Sequence, residues 1–214
     1  MSDVILLTFC ETIIKTWYIW LLIIIISLLR LVTPFIKGVV GEQTVRIILH
    51  SINQKGYSVV HNVIIADNDK LTQIDHIVVG RSGVYVIETK NYKGLITGSE
   101  TAANWTQHLG KKRISFHNPI RQNYGHIMAL SSALRLPIST FTSLIAFNPE
   151  AKVKVEAKTQ VLYYSALTDT IQRAQIEVLT PEEKDRISKE IVAIKQKNNK
   201  LRNDHIKQVR KLKI

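Results

Sequence analysis

The chain has 214 residues, 45% of them apolar, enough for the core of one ordinary domain with an appendage, which excludes a disordered or collagen-like polymer. Lys and Arg number 29 against 17 Asp and Glu, a net charge of +12 that attracts polyanions, whether nucleic acid or anionic lipid. The lone cysteine, Cys10, excludes an internal disulfide and a cysteine-rich zinc ribbon.

Residues 16–29, TWYIWLLIIIISLL, carry no charge, and Arg30 alone interrupts the apolar run to Ile36. As a helix, residues 16–36 would rise about 31 Å, the thickness of a bilayer core. Four consecutive isoleucines leave no polar face, and Trp17, Tyr18 and Trp20 cluster at one end like an interfacial belt. The N-terminal MSD is not the basic start of a signal peptide, and no small-residue cleavage site follows. The pattern predicts an anchor helix. Bases concentrate after it, so the positive-inside tendency places residues 37–214 in the cytoplasm and a short N-terminus outside.

Next comes an expected helix at 38–53, ended by Lys55-Gly56. Strands are predicted at 57–65, 71–79 and 84–90, joined by turn chemistry at 66–70 and by the segment from Gly80 to Gly83. Short strands follow near 95–97 and 113–116. Asn118-Pro119 reads as an N-cap with proline at the first helical position, opening a helix towards Leu134. Strands at 142–147 and 159–164 and a short helix at 169–174 complete the α/β unit. Thr180-Pro-Glu-Glu183 is a capping box that starts a final helix striped by Ile187, Ile191, Ile194 and Leu201. The organisation is thus an anchor segment (1–36), an α/β domain (37–180) and a basic tail helix (181–214). The tail carries 11 bases and 5 acids, a surface for nucleic acid or the anionic inner leaflet.

The stretch TQIDHIVVGRSGVYVIETK, residues 72–90, carries the chemistry. An even loop centred on Arg81-Ser82 sets Val79 opposite Val84, Ile77 opposite Val86, Asp75 opposite Glu88 and Gln73 opposite Lys90. Both faces of this hairpin are otherwise apolar, with Ile77, Val79, Val84 and Val86 on one and Ile74, Val78, Tyr85 and Ile87 on the other. Two carboxylates beside an ammonium at the end of a buried sheet are costly unless something binds them. One reading is a satisfied ion-pair cluster. The other is a divalent cation held by Asp75, Glu88, the Thr89 carbonyl and waters. Glu42 follows two glycines, Gly38 and Gly41, that permit close backbone packing, and Gln122 sits in the first turn of the Asn118-Pro119 helix. His76 falls on the face away from Asp75 and reads as a core histidine. The triplet Lys111-Lys112-Arg113 reads as a solvated loop. There is no P-loop and no GxGxxG, and the serines lack a base partner.

In combination, KGxxGE (37–42), TQIDHIVVG (72–80), GVYVIETKNYKG (83–94), Trp105 and NPIRQN (118–123) resemble the nuclease-related domain, NERD, over roughly residues 37–147. That domain is similar to the PD-(D/E)xK nucleases. The resemblance implies a restriction-endonuclease-like αβββαβ core with a mixed sheet, Glu42 on its first helix and Asp75 and Glu88-x-Lys90 on its hairpin. It also implies a Gln122 beside the site. Asp75, Glu88, Thr89 and Glu42 would hold the metal, Mg²⁺ or Mn²⁺, and Lys90 and Gln122 would act on water and phosphate in DNA or RNA. Ile74 replaces the proline of the PD signature, and His126 stands where some relatives carry tyrosine. The competing expectation is a non-catalytic nucleic-acid-binding or membrane-tethering module on the same fold.

Overall fold

The computed structural model describes the backbone of residues 2–53, 56–67, 70–174 and 176–211, and side chains over 15–33, 38–53, 56–66, 71–174, 176–198 and 200. The chain divides into two units, 1–40 and 41–214.

The first helix, α1 (Ser2–Asn53), takes in both the expected anchor and the expected helix at 38–53. Gly38 and Gly41 do not interrupt it, since each costs only about 1 kcal/mol in a helix. In the first unit its side chains are exposed, from Trp17 through Val32, and this helix is long and apolar enough to cross a membrane. Its hydroxyls fold back on their own backbone: Ser27 Oγ donates to Ile23 O at 2.8 Å and Thr33 Oγ1 to Leu29 O at 2.5 Å. Such bonds satisfy the hydroxyls within the helix itself.

The second unit is a mixed α/β fold. β1 (Ser58–Asp67), β2 (Lys70–Gly80) and β3 (Gly83–Lys90) form an antiparallel meander. The expected turn between the first two strands includes residues 68 and 69, outside the described residues. A second sheet follows at once, with β4 (Gly94–Ser99), β5 (Asn104–Leu109) and β6 (Lys112–His117). Then come α2 (Pro119–Leu134), β7 (Phe141–Phe147), β8 (Ala151–Glu156), β9 (Gln160–Tyr163), α3 (Leu167–Gln172) and α4 (Pro181–Lys211). The main sheet has the order β1-β2-β3-β7-β9 and turns parallel at β3–β7; the second has the order β6-β5-β4-β8.

Helices cover both faces of the main sheet, which explains why its central strands are apolar on both sides. Val45, Leu49 and Ile52 of α1, with Ile171 of α3, pack on Val78, Tyr85 and Ile87. Ile127 and Leu130 of α2, with Ile187 and Ile191 of α4, pack on Ile77, Val79, Val84 and Val86. A third cluster joins the sheets: Trp105 stacks on Phe147 at 6.2 Å between centroids and meets Ile96, Ile120 and Ile145.

The caps read from the sequence are formed. Asn118 Oδ1 accepts from Ile120 N at 2.9 Å, while its Nδ2 donates to the carbonyls of Ser99, Glu100 and Ala102, tying the start of α2 to the second sheet. At α4, Thr180 N donates to Glu183 Oε2 at 2.8 Å and Glu183 N to Thr180 Oγ1 at 3.2 Å.

Candidate active site

The hairpin register is the expected one, with pairs from Gly80↔Gly83 to His76↔Ile87. The ladder stops there, one step short of Asp75 and Glu88. At that step the Asp75 side chain takes over: its Oδ2 accepts from Thr89 N at 2.9 Å and from Thr89 Oγ1 at 2.8 Å. The strict alternation expected of β2 also fails here, since Ile74 packs in the same cluster as Ile77 and Val79. The reason lies in β1, where Asn62, between the pairs His61↔His76 and Val63↔Ile74, has φ +52° and breaks the pleat. Gln73 pairs with Ile64 of β1, and the Lys90 ammonium turns to Glu88 and α2.

Glu88 is 2% exposed, and both of its oxygens face partners. Lys90 Nζ donates to Oε1 at 2.6 Å and to Gln122 Oε1 at 3.1 Å. His126 Nε2 stands 3.3 Å from Oε2, an ion pair when the ring carries both protons, though neither atom has hydrogen-bond geometry. Thr72 Oγ1 fixes that ring through Nδ1 at 2.8 Å. Gln122 and His126 are one turn apart on α2, so both meet β3. Asn123 anchors the same turn, its Nδ2 donating to Val86 O and to Ser143 Oγ, each at 2.8 Å.

The three carboxylates act on one another. Burial, and then the Glu88 charge, push Asp75 up to about 6 despite the bonds from Thr89. Burial and Glu88 also raise Glu42, with Arg46 opposing. Burial works against the Glu88 carboxylate too, but His126 and Lys90 outweigh it and hold Glu88 below the usual range. Asp75 and Glu42 therefore keep a proton more readily than free carboxyls do, and Glu88 less readily.

Glu42 reaches this neighbourhood because Gly41 precedes it. A Cβ on Gly41 would lie 2.6 Å from Asn91 Cβ and 2.9 Å from the Tyr164 hydroxyl. Gly38, expected to share that task, has nothing within 4 Å. Among the described residues, no group of three or more His, Cys, Asp or Glu side chains is arranged to hold a metal ion. A cavity of about 420 Å³ borders the other side of α2, at Ile120, Tyr124 and Met128, and none of the three carboxylates lines it.

The structure thus brings Glu42, Asp75, Glu88, Thr89, Lys90 and Gln122 to the open end of the β2–β3 hairpin. It adds two residues given no role in the sequence reading, Thr72 and Tyr164. His126, noted there only as a departure from relatives, faces Glu88, with its Nε2 3.3 Å from Oε2. His76 is buried as expected, and its Nδ1 lies 2.7 Å from that of His61. Lys111, Lys112 and Arg113 span the turn into β6 and its first residues.

The second unit is thus a mixed α/β domain with an acidic hairpin end and an adjoining Lys–Gln pair. The nuclease-related domain model matches residues 37–148, and the chain belongs to that family. It is 38% identical over 186 residues to an uncharacterized protein of Bacillus anthracis, covering 85% of this chain and 87% of that protein. The crystal structure of AF1548, a protein of unknown function, aligns with a TM-score of 0.35 at 10% identity, over 72% of this chain and 97% of that one.

Proposed function

We propose that the chain is a membrane-anchored, metal-dependent nuclease that hydrolyses phosphodiester bonds in DNA or RNA. The observation that carries this reading is the Lys90 ammonium shared between Glu88 and Gln122, beside two further carboxylates, Asp75 and Glu42, that feel the Glu88 charge. The order α1, β1–β3, α2, β7 around one mixed sheet supports a restriction-endonuclease-like αβββαβ core, with β4–β6 inserted before α2.

The donors fit a small hard cation. Buried Glu88 Oε2 lacks a hydrogen-bond partner among the described residues, and Mg²⁺ commonly takes one or two carboxylates with waters and substrate oxygens rather than a full protein cage. Asp75 and Glu88 would hold Mg²⁺ or Mn²⁺, with the Thr89 carbonyl, and with Glu42 directly or through water. Such an ion lowers the pKa of a bound water and polarises a phosphodiester oxygen. Lys90 neutralises negative charge growing on the phosphoryl oxygens or orients the attacking water. Gln122 fixes the Lys90 rotamer, and His126 keeps Glu88 ionised and aimed.

The apolar stretch of α1 supports the anchor. The excess of bases after residue 36 supports a domain facing the cytoplasm, where its positive charge draws a polyanion towards the site. The tail bases would add a nucleic-acid or inner-leaflet contact; side chains beyond Lys200 lie outside the described residues.

A second reading, a non-catalytic nucleic-acid-binding or tethering module, is favoured by one observation. Lys90 and His126 already oppose both oxygens of Glu88, as in a closed ion-pair cluster. A cleavage panel separates the two. The full chain in detergent, with Mg²⁺ or Mn²⁺, is expected to cut at least one of single- and double-stranded DNA and RNA, with Asp75→Ala inactive. Equal product from both proteins rejects the nuclease.

A further inference from the structure

Tyr164 opens the short 3₁₀ turn after β9 (Tyr164–Ala166), far along the chain from every residue so far assigned to the site. It is 2% exposed, yet its hydroxyl has no hydrogen-bond partner among the described residues. An unpartnered buried hydroxyl is destabilising, and a phenylalanine would fill the same space without that cost. Its surroundings single it out further. The oxygen lies against Gly41, at the turn of α1 that delivers Glu42; a side chain on Gly41 would collide with it. Burial, then the charges of Asp75 and Glu42, push the phenol pKa above its usual range and keep it neutral. The group is a neutral donor set among carboxylates and bonded to none of them.

A donor in that position suits an oxygen ligand that arrives from solution. Ionised carboxylates supply only acceptors, and two of the three Lys90 ammonium protons go to Glu88 and Gln122. A water bound to a divalent cation carries two protons and a free lone pair, so it can donate to a carboxylate and accept from a phenol at once. We propose that Tyr164 is a ligand-binding residue of this site, its hydroxyl donating to a water brought in by the divalent cation. This rests on the cation reading given above and adds to it a residue outside the family motifs quoted earlier.

Removing the oxygen alone gives the test. Mn²⁺ binding is measured by calorimetry on the full chain in detergent, as wild type and as Tyr164→Phe, and both are melted without added cation. Tyr164→Phe is expected to melt at the wild-type temperature or above it, because it sheds an unsatisfied group, and to bind Mn²⁺ about tenfold more weakly. Equal Mn²⁺ affinity in the two proteins overturns the assignment of Tyr164 and leaves the cation site standing. A lower melting temperature without cation also overturns it, because the hydroxyl then has a structural partner. No Mn²⁺ binding by the wild type overturns both the assignment and the reading beneath it.

Discussion

Asp75 Oδ2 accepts the backbone N–H of Thr89 at 2.9 Å, at the step where the β2–β3 ladder gives out. A side chain thus does what a carbonyl does elsewhere in the sheet. The strands part there, and the carboxylates, Lys90 and Gln122 share the end of the hairpin.

The energetic consequence is a site held against its own repulsion. Asp75 is pushed from 3.8 to about 6. A raised folded-state value means that its contribution to stability is full below 3.8 and lost as pH rises through 6. The loss is about 3 kcal/mol at pH 8, at about 1.4 kcal/mol per unit. Asp75→Asn is therefore expected to stabilise the cation-free protein by about 2–3 kcal/mol at pH 8 and by little at pH 4. Urea unfolding at the two pH values checks this; equal gains at both would mean that the charge is not the cause.

The two histidines of β1 and β2 act in the opposite sense. Burial, then Arg46 and Lys195, lower His61 to about 4, and burial, then His61 and Arg46, lower His76 to about 3. Lowered values mean that stability is complete above 6.5 and lost as pH falls towards 4 and 3. The acid limb of the stability curve should begin near pH 6.5 and be steeper in Asp75→Asn, which lacks the compensating gain. His76→Gln, which cannot take a proton, should flatten it. Thermal melts from pH 4 to 8 read both effects.

His126 is the residue on α2 on which Glu88 depends. In His126→Ala, Thr72 Oγ1 loses its partner and the Glu88 carboxylate keeps only Lys90. A destabilisation of about 2–4 kcal/mol follows for a buried charge stripped of one partner. His126→Gln can reach one of the two groups and should recover part of it. Chemical denaturation of both variants measures the difference.

Much of this arrangement was legible in the chain itself. With an even loop between Gly80 and Gly83 the hairpin pairs Val79 with Val84 and Ile77 with Val86, which is the register observed, while an odd loop would have put the carboxylates on opposite faces. Asn118-Pro119 and Thr180-Pro-Glu-Glu183 marked their helices because capping is local chemistry. Two strands escaped notice. β5, NWTQHL, has polar residues on both faces, and β8, AKVKVE, offers only two β-branched residues between lysines. Each becomes a strand through its neighbours: β5 through Trp105, which is fully buried on Phe147, and β8 through parallel pairing with β4. The break in alternation at Asp75 depends on Asn62, a residue on another strand. Tyr164 could not be foreseen at all, since its place beside Gly41 and Asp75 is made only by tertiary folding.

Trp105 gives a check on how the second sheet is attached. Its ring is fully buried, and its Nε1 donates to Ser99 O at 2.9 Å. Trp105→Ala should cost about 3–5 kcal/mol, as loss of a buried aromatic does, while Trp105→Phe should cost less than half of that. A cost under 1 kcal/mol for the alanine variant would show that this sheet is not part of the cooperative core.

In the proposed nuclease, Glu88 serves phosphodiester cleavage. The most direct test of that role is the initial rate of nucleic-acid cleavage by the full chain in detergent, with Mg²⁺, with EDTA, and with Mg²⁺ in Glu88→Gln. The glutamine keeps the shape and the contacts of Lys90 and His126 within reach but removes the charge. The wild type is expected to cleave at a rate that EDTA abolishes and that Glu88→Gln lowers by at least about a hundredfold. Cleavage of the same rate in all three, or in wild type and Glu88→Gln alike, would contradict that role.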